Sequence, residues 1–122
     1  MRHMLPLILA VLTIAVLTYG DVAKSLGAHP WWSQKTLMIG TPIGLILAAL
    51  ASLKITALPR TILFTLFTLA AFGIAKYGQT QFAASYAEDA LAGSLWYFGW
   101  IATGTMLSAG LFSVFQTLMP RS

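Results

Sequence analysis

The chain has 122 residues, 58% of them hydrophobic and 8% charged, with a formal charge of +4. A soluble domain carries about 25% charged residues, so water is not its main solvent, and so few scattered basic side chains exclude a nucleic-acid surface. Cysteine and asparagine are absent, which excludes disulfides, thiolate metal sites and N-glycosylation.

The first apolar run is residues 4–20, short for a span of about 20 residues. Arg2 and His3 precede it, and Thr18-Tyr19-Gly20 or Ala23-Lys24-Ser25 could serve as a signal-peptide cleavage site. A retained helix is expected, because another helix pair of the same layout follows. A polar connection holds Asp21, Lys24, His29 and Lys35, and within it Pro30-Trp31-Trp32.

The second span is expected over residues 34–53, with Ser33 as its N-cap. Pro42 falls inside it and removes the bond to the Met38 carbonyl, which predicts a bend within one continuous span. Gly40, Gly44, Ala48 and Ser52 recur every fourth residue here. With Thr41 and Ala51 they share about one third of the helix circumference. In lipid, helices join by close packing, so this strip marks a helix–helix interface, and this helix is expected to be the one its neighbours pack on. Gly44 is expected to meet another backbone, either the small face of the last helix or a second copy of the protein.

Residues 54–60 read as a tight turn, with Pro59 at the first position of the next helix. The third span is expected over residues 60–77, carrying Thr61, Thr65 and Thr68, with Gly78 as its C-cap. Residues 79–93 form the longest expected connection, alanine-rich and holding Glu88 and Asp89, a composition that suits a short helix lying at the surface. The fourth span is expected over residues 95–118. Its large residues gather on one side, and its small and polar ones, Gly104, Ser108 and Ala109 among them, supply a packing face.

Four spans put both termini and the 54–60 turn on one side, with Arg2, Lys54, Arg60 and Arg121. The other side has Lys24, Lys35 and Lys76. The positive-inside count is four to three and places both termini in the cytoplasm. Trp31, Trp32, Trp96 and Trp100 fall on or near the side of the longer loops, as do all four tyrosines. They are expected to anchor the chain at the water–lipid boundary.

The pattern also contains signs of one hairpin used twice. Tyr19-Gly20 and Tyr77-Gly78 are offset by 58 residues, and Trp32 and Trp96 each precede a Gly-Thr pair by eight, at an offset of 64. Recurrence of boundary aromatics in any pair of membrane hairpins accounts for the same pattern.

No ionisable residue is expected at mid-span, which speaks against an ion-coupled pump. Asp21, His29, Glu88 and Asp89 share a side, but their spacing matches no metal motif. No hydroxyl has a histidine base beside it in a span. No catalytic residue, cofactor or metal is therefore expected.

The fold class expected is an all-α membrane protein of four transmembrane helices in a compact bundle, a single domain over residues 1–122. The function expected is non-enzymatic: a small, multi-pass bacterial inner-membrane protein acting as an accessory, assembly or scaffolding subunit. Its partners would be the lipid bilayer and other membrane subunits or a second copy of itself. The alternative is a small-solute transporter or channel working as an oligomer. A lipid-modifying enzyme ranks last, for want of an acid–base pair.

Overall fold

The structure is a computed structural model that describes residues 4–27, 33–86 and 88–118. Among the described residues it consists of helices and the turns between them, with no strand. Helix α1 spans Met4–Tyr19, α2 is a single turn over Val22–Ser25, and α3 spans Ser33–Ala51. Helix α4 spans Ala57–Ala84 and α5 spans Ala90–Leu118. Helices α3, α4 and α5 are long and apolar enough to cross a membrane, and α1 is a shorter apolar helix.

The second half of the chain is built differently from the sequence expectation. Helix α4 has 28 residues and does not stop at Tyr77. Gly78 is not its C-cap. It lies buried inside the helix, where an added Cβ would come within 2.5 Å of the Trp96 nitrogen and 2.7 Å of the Ala92 carbonyl. The glycine is there for closeness, not termination. Helix α5 begins at Ala90, so the expected long connection over residues 79–93 shrinks to the short link between α4 and α5. Tyr86 takes a left-handed φ of 55° there, and the Asp89 carboxylate accepts from the Ala92 N–H at 3.0 Å. Pro59 is the third residue of α4, not the first.

The helix the others pack on is α5, not α3. Ten residues of α5 are buried, against five of α4. Helices α3 and α4 both lie along α5, and α1 rests on α5 and α3. Two close neighbours need small residues on two sides of one helix, and α5 has them. Gly99 faces α4, where an added Cβ would reach the Ala75 Cα at 2.8 Å. Gly104 faces α3, with the Thr36 carbonyl 3.3 Å from such a Cβ, and Gly110 faces Phe64 of α4 at 3.5 Å.

Helix α1 buries Pro6, Ala10, Ile14 and Thr18, one residue per turn. Ala10 joins Ala48, Phe64, Ala109 and Phe112 in one buried cluster. Ile14 joins Leu37, Ala75 and Trp100 in another, nearer the α4–α5 turn. The matching Tyr-Gly pairs do not hold matching places. Gly20 follows the end of α1, where its N–H donates to the Val16 carbonyl, while Gly78 is buried mid-helix. The two hairpins therefore differ in length and in how they end.

Candidate functional site

The strip on α3 makes a close contact with α5. An added Cβ at Gly40 would stand 2.7 Å from the Ile101 carbonyl and from the Thr105 nitrogen. At Gly44 it would overlap the Thr105 carbonyl and Ser108 Oγ. Ala48 is fully buried, as are Ser108 and Ala109 on α5. The Ser108 hydroxyl donates to the Thr105 carbonyl at 3.0 Å and leans toward the Thr41 carbonyl of α3 at 3.4 Å. Thr41 donates to Leu37 one turn back. Ser52 departs from the strip. It lies beyond the end of α3, exposed, with its hydroxyl on the Ala49 carbonyl. Pro42 sits inside the continuous α3, exposed.

The aromatic residues divide. Trp31 and Trp32 lie outside the described residues. Trp96 is half-buried beside Phe82, with ring centroids 5.8 Å apart, and its indole N–H donates to the Gly27 carbonyl at 2.9 Å. Trp100 packs inside the bundle and is not exposed on its surface. It is 3% exposed, and Phe72 meets it edge-on at 5.5 Å and 83°. Its indole N–H has no hydrogen-bond partner among the described residues.

Trp100 lines a partly open cavity of about 320 Å³. Leu17 of α1, Leu37 of α3 and Phe72 of α4 contribute walls, and Val22 and Leu26 close it from the α2 side. The remaining lining residues are Thr68, Leu69, Thr103 and Leu107. Thr68 and Thr103 spend their hydroxyl protons on carbonyls of their own helices, Phe64 at 2.6 Å and Gly99 at 2.7 Å. The cavity is therefore apolar and uncharged.

The cover of the cavity is fastened by polar contacts. Lys76 of α4 donates from Nζ to the Leu26 carbonyl at 3.1 Å and to Gln79 Oε1 at 3.0 Å. With the Trp96–Gly27 bond, these tie the Leu26–Gly27 turn to α4 and α5. Gly27 has a φ of +121°, and a Cβ there would strike Gln79 and Lys76, so this turn accepts only glycine. Lys76 lies within α4, as the expected 60–77 span implies.

Arg60 is also turned inward. It is 4% exposed, and its Nε donates to the Ile55 carbonyl at 3.0 Å. Its Nη1 reaches Ser113 Oγ at 3.4 Å. Neither partner is a carboxylate. No group of three or more metal-ligating side chains occurs among the described residues.

Two features were hidden from sequence reasoning. The Ala71, Ala75 and Gly78 face of α4, buried against α5, carries the same small-residue signal as the α3 strip and could have been found by it. The cavity leaves no local signal, since its walls come from five helices.

Comparison with known proteins finds no match: no family model, curated protein or solved structure corresponds to the chain.

Proposed function

We propose that the chain is a four-span protein of the bacterial inner membrane, with both termini cytoplasmic, that serves as an accessory, assembly or scaffolding subunit. Dimensions support the membrane placement. Arg60 and Lys76 are 16 residues apart, about 24 Å along a helix axis, and so bracket most of a hydrocarbon core of about 30 Å. Helix α1, with 16 residues, reaches about 24 Å and crosses with local thinning or by drawing its flanks inward. The ends of α4 and α5 beyond this slab, where Phe82 meets Trp96, stand outside the membrane.

The observation that carries the subunit reading is the outer face of α4. Leu66, Leu69 and Ile74 are exposed along it, with Ala70 and Gly73 between them. A Cβ at Gly73 would meet nothing within 4 Å. A glycine facing lipid forgoes contact without gain, whereas beneath another helix it permits close approach. The chemistry-poor interior supports the same reading. The hydroxyls of Thr61 and Thr68 are bonded to their own helix, so they build no continuous polar path, and the cavity is apolar.

Purification in mild detergent tests the proposal. A stoichiometric membrane partner should co-purify, and the protein alone in liposomes should move no solute. Solute flux by the pure protein would favour the transporter reading instead.

A further inference from the structure

We infer that the cavity beneath α2 is a slot for one acyl chain of a bilayer lipid, which enters sideways between α1 and α4. The inference rests on the membrane placement and not on the subunit role.

The slot exists because α1 and α4 both lean on α5 without closing on each other. Helix α1 lies along α5 and α3 and barely meets α4. Trp100, Thr103 and Leu107 of α5 form the floor of the gap. They follow three or four residues apart and so share one face. Leu17 of α1 and Phe72 of α4 stand on either side, and Leu26 roofs one end. On α4, Phe64, Thr68 and Phe72 follow at intervals of four residues on one face. Where Phe64 and Ala10 share a buried cluster, the space is filled. One turn further along α4, Thr68 is too short to fill it.

Three features select the occupant. The first is chemistry. The hydroxyls of Thr68 and Thr103 are already given to their own helices, so an ion, a head group or a polar cofactor gains nothing inside. Water is excluded on the same ground, since a buried water needs two to four polar partners. The second is size. A group as large as water takes about 30 Å³, so about 320 Å³ holds a run of roughly ten carbon atoms. A partner helix, about 10 Å across with its side chains, does not fit. The third is direction. Trp100 to Leu107 covers about 10 Å of the α5 axis, so the slot runs along the bundle, as lipid chains do. Leu26 and Leu69, 50% and 63% exposed, are the exposed residues of the lining and mark its mouth. That mouth faces the bilayer. Left empty, the slot forfeits dispersion contacts along every wall, and a hydrocarbon chain restores them without burying a polar group.

The experiment uses the full chain, deuterated except at its leucine methyls, in nanodiscs of dimyristoylphosphatidylcholine. Nuclear Overhauser contacts from lipid chain protons to Leu50, 59% exposed on α3, are expected in any case. The inference predicts that they also reach Leu37, a lining residue 3% exposed, and Leu107. Both should vanish when chain-deuterated lipid is substituted, a readout that needs no variant to survive. Leu107→Trp, which fills the slot, should abolish the contact at Leu37 and leave that at Leu50. Lipid contacts that stop at the outer methyls would overturn the inference. So would water contacts at Leu37, or a Leu37 methyl that meets added decane in detergent but never the phospholipid chain.

Discussion

Replacing Gly44 by alanine adds one methyl group at the tightest point between α3 and α5. The added carbon would overlap the Thr105 carbonyl and Ser108 Oγ. The first is backbone and cannot rotate away. The second is held by its bonds to Thr105 and Thr41. Four residues earlier, at Gly40, the same test leaves 2.7 Å to two backbone atoms, well under the 3.4 Å at which ordinary contact begins. Relief therefore requires α3 to move off α5 as a body. A gap of 0.5–1 Å forfeits a quarter to a half of each contact along the seam, and overpacking a filled interior costs about 1–3 kcal/mol or more. Gly44→Ala should sit at the upper end, about 3 kcal/mol, and lower the melting temperature by about 10 °C. Gly73→Ala is the control. It meets no atom within 4 Å, and exchanging glycine for alanine in a helix gains up to ~1 kcal/mol. Thermal unfolding of both variants in the same detergent decides the matter. If the two melt together, α3 and α5 are not in backbone contact and the packing scheme fails.

Arg60→Met removes the donors that hold the Ile55 carbonyl and Ser113, and should cost roughly 1–3 kcal/mol in detergent stability. Arg60→Lys should recover only part of this, since an ammonium lacks the guanidinium fork. Trp96→Phe keeps the ring beside Phe82 but loses the bond to the Gly27 carbonyl. Hydrogen exchange at the Leu26 and Gly27 amides should then accelerate, while exchange in the middle of α5 stays unchanged. A periplasm-active reporter fused after Arg121 should be silent, and the same reporter inserted at Tyr86 should be active. Activity after Arg121 would reverse the orientation.

The helices themselves were legible because apolar runs of span length have few other uses. Their ends were less so. Gly78 has the composition of a stop, and only the nearness of Ala92 and Trp96 shows it to be a crossing point. Residues 79–84 look like loop because Gln79, Thr80 and Gln81 are polar, yet they continue α4 where Phe82 can pack on Trp96. The α3 strip was readable because its small residues occupy one arc. The central place of α5 was readable in principle, since Gly99 and Gly110 share one side of the helix and Gly104 points to another, which implies two close neighbours. The burial of Trp100 was not readable, because tryptophan near a helix end suggests a boundary. Once α5 begins at Ala90, Trp100 lies three turns inside. The cavity depends on how α1 and α4 stand around α5, and no local pattern records that.

The subunit reading stands most directly on the outer face of α4, and a photo-crosslinker placed there in living cells tests it. With the crosslinking residue at Gly73, one discrete adduct with another membrane polypeptide, or with a second copy of the chain, is expected. With the same residue at Val16 on α1, which is 70% exposed, only lipid adducts are expected. Lipid adducts alone at both positions would leave the α4 face without a protein partner and contradict the account.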